Sequence, residues 1–312
     1  MTQVISQFQG KNFIAYNADC VDVTGSMPEN SIDLAVFSPP FASLYTYSDL
    51  DRDMGNCKNY DEFFIQFGYM AEQLFRIVKP GRIIAFHCMN IPAMKERDGY
   101  IGLKDFRGDM IRCFQRSGFI FHSEHCIWKD PLIEATRTKA IGLMHKQLCK
   151  DSIMSRSGIP DYLIAMRKPG ENAAAIAHPD GLTEFVGENP PTHGTLSHEY
   201  WRRYASPVWM DINQSNTIQA ANSRENDDER HICPLQLDVI DRAIQLWSNP
   251  GDVVLSPFMG IGSEGYESLK MKRKFIGIEL KTSYYDVAVK NLTGVENLTD
   301  EPDLFSMEEL SE

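Results

Sequence analysis

Ser38-Pro39-Pro40-Phe41 is the stretch of this sequence best equipped for chemistry. It follows the apolar run Ile32-Asp33-Leu34-Ala35-Val36-Phe37, so it falls where a buried strand runs out. Two consecutive prolines hold the backbone extended and donate no ladder hydrogen bonds. The tetrapeptide is therefore a rigid lip with one hydroxyl, one free carbonyl and an aromatic ring just beyond. That combination suits a planar group bearing an amino nitrogen, whose hydrogens the oxygens accept and whose face the ring covers. A Ser-Pro-Pro tripeptide alone more often just ends a strand, so a second motif has to change the reading.

That second motif lies near the other end of the chain. Asp252-Val253-Val254-Leu255-Ser256-Pro257-Phe258-Met259-Gly260-Ile261-Gly262-Ser263 reads as a strand, a small-residue turn and the start of a helix. Further on, Phe275-Ile276-Gly277-Ile278-Glu279 reads as a second strand ending in a carboxylate. Strand, glycine turn, helix, strand and terminal acid is an arrangement that binds a nucleoside at the carboxyl edge of a parallel sheet, the acid taking ribose hydroxyls. The turn lacks the third glycine of the dinucleotide fingerprint, which disfavours a nicotinamide cofactor and with it an oxidoreductase.

Together the two motifs resemble the beta group of DNA amino-methyltransferases, in which Asp, Asn or Ser before Pro-Pro and an aromatic precedes a Phe-x-Gly-x-Gly turn. The resemblance covers most of residues 12–292. It implies a Rossmann-like α/β methyltransferase fold: a central, mostly parallel sheet with helices on both faces, in circularly permuted motif order, with an inserted target-recognition region. It further implies S-adenosylmethionine as cofactor and double-stranded DNA as substrate, with the target base flipped from the duplex. Ser38, Pro39, Pro40 and Phe41 would form the catalytic lip; Phe258, Gly260, Gly262 and Ser263 would line the methionine and ribose side of the cofactor. Glu279 would take the ribose hydroxyls and Asp19 the adenine, although Asp19 by itself reads as an ordinary turn or helix-capping aspartate. His231-Ile232-Cys233-Pro234-Leu235-Gln236-Leu237, followed by Val239, Ile240, Ala243, Ile244 and Trp247, resembles the helix packed over the methionine end, and the same spacing fits a plain amphipathic helix.

Ser at position 38 leans towards cytosine N4 within this family and leaves adenine N6 open, since both bases present a similar amino group. An RNA or protein amino-methyltransferase would usually carry the cofactor motif ahead of the Pro-Pro motif, the reverse of the order here. A catalytically silent DNA-binding relative would not need lip, turn and ribose acid all intact. No nuclease signature is visible, which favours a stand-alone enzyme or the modification partner of a restriction system. The resemblance leaves a homodimer open.

At the scale of the whole chain, 312 residues of which 43% are hydrophobic allow one large α/β domain with an inserted region. The expected division is a catalytic half over 1–168, a target-recognition insertion over 169–230, a cofactor half over 231–292 and an acidic, mobile tail over 293–312. No apolar run approaches the roughly 20 residues of a membrane span, and nothing at the amino terminus marks export, so a bacterial or phage-encoded cytoplasmic protein is expected. The 7 cysteines are scattered and never spaced as paired metal ligands, in keeping with a reducing compartment. His122-Ser123-Glu124-His125-Cys126 is the densest cluster of ligand-type residues, but strand alternation would turn His125 away from His122 and Glu124, and the chemistry requires no metal.

A net charge of -12 sits badly with phosphate binding unless the positive charge is concentrated. Residues 129–168 concentrate it: Lys129, Arg137, Lys139, Lys146, Lys150, Arg156, Arg167 and Lys168 stand against Asp130, Glu134, Asp151 and Asp161. Arg137, Lys139 and Lys146 are the candidate phosphate contacts there, joined by Arg202 and Arg203 of the segment Tyr200-Trp201-Arg202-Arg203-Tyr204, whose aromatics would stack on bases or pack a surface loop. The intervening elements read as a helix from Asn59 with Phe63, Phe64, Phe67, Met70, Leu74 and Ile77 on its core face, a stop at Lys79-Pro80-Gly81, a strand over 82–87, a helix over 105–118, and strands over 119–128 and 162–166.

Overall fold

The computed structural model describes residues 4–42, 52–93, 95–133, 145–153, 156–178, 182, 196–218 and 234–300. A nine-stranded sheet runs through it in the order β1 (Val4–Gln9), β2 (Phe13–Ala18), β11 (Lys274–Glu279), β10 (Val253–Ser256), β3 (Ile32–Phe37), β4 (Val78–Met89), β8 (Asp161–Arg167), β7 (Ile120–Ile127) and β9 (Val208–Trp209). From β2 to β4 the five neighbours are parallel; β8 lies antiparallel to both β4 and β7, and β1 antiparallel to β2. A two-stranded ribbon of β5 (Ile91–Ala93) and β6 (Gly102–Lys104) stands apart.

The parallel strands are largely apolar because helices cover both faces of the sheet; every residue of β3 is buried, including Asp33. One face carries α1 (Cys20–Ser26), α2 (Tyr60–Ile77) and, after the short α3 (Lys95–Asp98), α4 (Phe106–Arg116), with Phe63, Phe67, Met70, Phe106 and Phe114 forming much of its core. Beyond two helices in the middle of the chain, α5 (His145–Leu148) and α6 (Leu196–Ala205), the opposite face is built from α7 (Leu237–Trp247), α8 (Ser263–Lys270) and α9 (Thr282–Asp300). The sheet thus separates two apolar cores, the three-layer solution for a parallel sheet.

Local signals account for the helix positions. Asn59 caps α2 by accepting from the Glu62 amide at 2.8 Å, and the Glu62 carboxylate reaches back to the Lys58 amide at 2.7 Å. Of the predicted core face of α2, Phe63, Phe67, Met70, Leu74 and Ile77 are buried and Phe64 is half-buried, and all five apolar positions anticipated on α7 are buried. Lys79-Pro80-Gly81 ends α2 as expected, yet it lies inside β4 rather than in a turn before it. The pairing jumps from Ile32 against Val78 to Leu34 against Ile83, so these residues form a bulge, with Gly81 at φ +75°. At the edge of the sheet away from the Ser38 lip, Arg82 is buried beside Asp33 at 3.5 Å and Asp252 at 3.0 Å, joining β4, β3 and the approach to β10.

Two boundaries differ from expectation. Residues 293–300 continue α9 instead of forming part of a mobile tail; Val295 and Glu296 are buried, and the Glu296 carboxylate accepts from the Lys11 and Asn12 amides at 3.1 and 2.6 Å, holding the β1–β2 turn. Within 169–230, β9 adds a parallel edge to β7, and Trp209 and Ile212 enter the core beside α7. The ring of His125 stacks on Trp209 with centroids 4.3 Å apart, and its Nδ1 lies 3.0 Å from the Ser206 carbonyl, so this histidine is a packed core residue.

Candidate active site

Strands β3 and β10 are parallel neighbours whose connections leave in opposite directions along the sheet, towards β4 and towards β11. The carboxyl edge at such a reversal opens a crevice between the loops. Both motifs arrive there, and they touch: Phe37, the last residue of β3, packs on Phe258 with ring centroids 6.0 Å apart.

Ser38 is half-buried at the rim, with Pro39 buried beneath it. Its Oγ lies 3.2 Å from Nδ1 of His87, near the end of β4. Phe41 is half-buried, its ring 5.8 Å from Phe106 and edge-on to the His87 imidazole at 6.4 Å, so the lip's aromatic is braced from below. Residues 43–50 beyond it lie outside the described part of the chain.

Across the crevice, the turn after β10 takes Gly260 and Gly262 to φ +51° and +94°. A β-carbon on Gly260 would meet no atom within 4 Å, whereas one on Gly262 would sit 3.4 Å from the backbone of Ala288 in α9. The first glycine therefore leaves room for a ligand and the second admits a helix. Gly262→Ala should cost about 1–2 kcal/mol through its left-handed backbone and this contact, read as a lowered thermal midpoint. Ser263, buried, opens α8.

Glu279 closes β11. Its Oε2 accepts from the Gly260 amide and its Oε1 from the Lys281 amide, both at 2.9 Å, and the Leu280 amide also favours the charged form. Asn17 at the end of β2 is fully buried and donates to the Glu279 and Leu280 carbonyls at 2.9 and 3.0 Å, with the Thr282 hydroxyl donating to its Oδ1. This clamp fixes the main chain that carries the carboxylate. Asp19, at the same edge, caps α1 through one oxygen, which accepts from the Val21 and Asp22 amides at 2.9 and 3.1 Å. The capping reading of Asp19 is realised, and its other oxygen is not used by the cap.

Packing against protein pushes the Glu279 carboxyl up to about 7, although part of the residue's surface faces the crevice. Glu264 in the first turn of α8 is buried outright and is raised further, to about 8, by desolvation. Glu267 moves the same way for the same reason. Between about 4.5, where these groups titrate when unfolded, and about 8, the folded chain holds more protons than the unfolded one, so stability falls as pH rises. The thermal midpoint of the cofactor-free protein should drop from pH 5.5 to 8.5, and Glu264→Gln should flatten that drop; a midpoint that rises over this range contradicts the assignment.

The basic candidates are dispersed. Lys129 is tied to Asp161 at 2.7 Å, while Lys168 bonds the Val78 carbonyl at 2.8 Å and Arg167 the Gly170 carbonyl at 2.9 Å. Because β8 is antiparallel, Arg167 pairs with Ile83 at the edge opposite the lip. Lys146 is exposed on α5; Arg137 and Lys139 lie outside the described residues. Arg202 and Arg203 are exposed on α6 beside Trp201, which is 61% exposed, but Tyr204 is buried with its hydroxyl 3.1 Å from Asp241 and is not free to stack on a base. Among the described residues no group of three or more metal-type ligands converges, and no helix is long and apolar enough to cross a membrane.

His87, Asp161, Lys129, Asn17 and Glu264 were not anticipated as site residues. His87 looked like the last residue of an apolar strand and Asp161 like a polar flank of another; only strand pairing brings Met89 opposite Asp161 and so His87 beside it.

A left-handed glycine turn with room above Gly260, a clamped carboxylate one strand away and a proline lip across the crevice fit S-adenosylmethionine and an amino group together, and the class is that of the cofactor's amino-methyltransferases. The chain belongs to the DNA methylase family that modifies N6 of adenine or N4 of cytosine, whose model matches residues 32–290. It is 41% identical over 285 residues to the type II methyltransferase M1.MboII of Moraxella bovis, covering 88% of this chain and 94% of that one. It is 25% identical over 284 residues to the type II methyltransferase M.BglII of Bacillus subtilis, covering 89% and 68%. The PvuII DNA methyltransferase (cytosine-N4-specific) shares the fold with TM-score 0.63 at 18% identity, over 95% of both chains. TTHA0409 of Thermus thermophilus, in complex with S-adenosyl-L-methionine, superposes with TM-score 0.58 at 21% identity, over 89% and 93%. The chain is an S-adenosylmethionine-dependent enzyme that methylates exocyclic amino groups of DNA.

Proposed function

We propose that the target is the N4 amino group of cytosine, flipped from duplex DNA into the crevice between Ser38 and Gly260, with adenine N6 as the alternative. The observation that carries this reading is a neutral hydroxyl, not a carboxylate or amide, at the head of the Pro-Pro lip, the form that leans towards cytosine within the family. An exocyclic amine is a weak nucleophile because its lone pair is delocalised into the ring. Ser38 Oγ and the Pro39 carbonyl accept its two hydrogens and favour the pyramidal nitrogen, a stabilisation that grows as the bond forms. Phe41 stacks on the base. When bound, S-adenosylmethionine would supply an electrophilic methyl group, its sulfur keeping the electron pair of the bond given up. Phe258, Gly260, Gly262 and Ser263 form the turn that would hold it, Glu279 would accept from its ribose and Asp19 from its adenine.

On the DNA side, Arg137, Lys139, Lys146, Arg202 and Arg203 take phosphates, and 169–230 supplies target recognition. Digestion of DNA from cells expressing the protein, followed by mass spectrometry of the nucleosides, decides the base: N4-methyldeoxycytidine is expected, and N6-methyldeoxyadenosine alone overturns the cytosine assignment. Long-read sequencing of the same DNA gives the sequence context.

A further inference from the structure

Behind Ser38 stands a chain of side chains with no place in the steps above. His87 is about nine-tenths buried, with Nδ1 3.2 Å from Ser38 Oγ and Nε2 3.2 Å from Asp161 Oδ2, within reach of the carboxylate's charge but off the line of a hydrogen bond, so that Nε2 is otherwise unpartnered among the described residues. Asp161 is buried and its other oxygen, Oδ1, lies 2.7 Å from Lys129 Nζ. The four residues come from the end of β3, the end of β4, the start of β8 and the segment after β7, converging only in the folded sheet.

We propose that His87, held by Asp161 and Lys129, is the positioning residue for Ser38 and receives the proton that methylation releases. This rests on the assignment of Ser38 to the target amine. A serine hydroxyl has one proton and two lone pairs. If its proton is parked on a neutral His87 Nδ1, Ser38 faces the amine as an acceptor only; if the proton points into the crevice, it opposes the amine's own hydrogens. Parking requires the tautomer with hydrogen on Nε2, the nitrogen that faces Asp161. The carboxylate is available for that because Lys129 Nζ, 2.7 Å from its other oxygen, already balances its charge. The other charged groups nearby, Arg107 and Glu124, pair with each other at 2.6 Å, and Asp105 caps α4; the Phe41 ring stands perpendicular to the imidazole at 6.4 Å.

The proton accounting closes. The amine nitrogen gives its lone pair to the new carbon–nitrogen bond, leaving the product nitrogen with one hydrogen and one positive charge too many. Ser38 Oγ takes that hydrogen as its own passes to His87 Nδ1, and the imidazolium, stabilised by Asp161, later returns the proton to water. No other acceptor of that proton is needed.

Three measurements at saturating cofactor test this. The nitrogen-15 shifts of His87 in the wild-type protein, assigned with His87→Asn, should show Nε2 protonated and Nδ1 bare at neutral pH; a protonated Nδ1 overturns the proposal without relying on any variant's folding. His87→Asn, whose side-chain oxygen still takes the Ser38 hydrogen bond but not the proton, should lower single-turnover methylation by about 10²-fold with S-adenosylmethionine affinity within twofold. A His87→Asn rate within threefold of wild type overturns it. If Ser38→Ala is crippled while His87→Asn is not, the relay fails and the Ser38 assignment stands; if Ser38→Ala is as fast as wild type, the underlying site reading fails.

Discussion

Ser38→Ala should lower the methylation rate constant by about 10²–10³-fold, with the dissociation constant for S-adenosylmethionine within twofold of wild type. The size follows from removing one preorganised acceptor aimed at charge that develops only as the nitrogen attacks, a loss of about 3–4 kcal/mol in the transition state. The selectivity follows from where Ser38 sits. It follows β3, whereas the groups proposed to hold the cofactor lie after β10 and at the end of β11, and Phe37 and Phe258 pack between the two motifs. Ser38 is half-buried at the rim, so losing a hydroxyl there leaves the core intact and the thermal midpoint close to wild type. Equilibrium binding of cofactor beside single-turnover transfer to unmodified duplex DNA separates the two effects; an unchanged rate constant removes Ser38 from the mechanism.

Glu279→Ala produces the mirror image. Weakening of S-adenosylmethionine binding by about 10²-fold is expected, since hydrogen bonds to a charged acceptor contribute about 1.5–3 kcal/mol each and every 1.4 kcal/mol is a factor of ten. The substitution also strands the Gly260 and Lys281 amides that the carboxylate receives, loosening the turn itself. At saturating cofactor the transfer rate constant should return to within a few-fold of wild type, because the lip is untouched. Because burial raises this carboxyl to about 7, cofactor affinity should strengthen from pH 6 to pH 8 as the acceptor ionises, and Glu279→Ala should lose that dependence. Calorimetric titration at the two pH values reads both effects. Affinity equal to wild type at pH 8 would show that Glu279 holds no part of the ligand.

How much of this was written in the chain differs from element to element. Helix α2 and strand β3 were legible because their signals are local: an Asn cap with its partner Glu, apolar positions at helical spacing, a continuous apolar run ended by prolines. The bulge in β4 was not, because Lys79-Pro80-Gly81 carries the same turn chemistry whether the chain reverses or merely loops out of a ladder, and only pairing with β3 and β8 decides. The end of α9 was misjudged for a related reason: Glu296 reads as one acid in an acidic tail until the β1–β2 turn offers it two amides. Likewise the positive stretch 129–168 is one feature in sequence but is divided in space, since Lys129 and Lys168 are taken up by opposite ends of β8.

The sequence by itself determined the fold class, the order of the two motifs, the cofactor and the amino-group chemistry, because each depends on short-range patterns: strand endings, a glycine turn, an acid closing a strand. Tertiary structure alone decided how the lip is armed. Ser38, His87, Asp161 and Lys129 are separated in the chain by dozens of residues, and parallel and antiparallel pairing in one sheet brings β3, β4 and β8 to a common edge. A hydroxyl's direction is set by the acceptor beside it, and that acceptor is a neighbour in space.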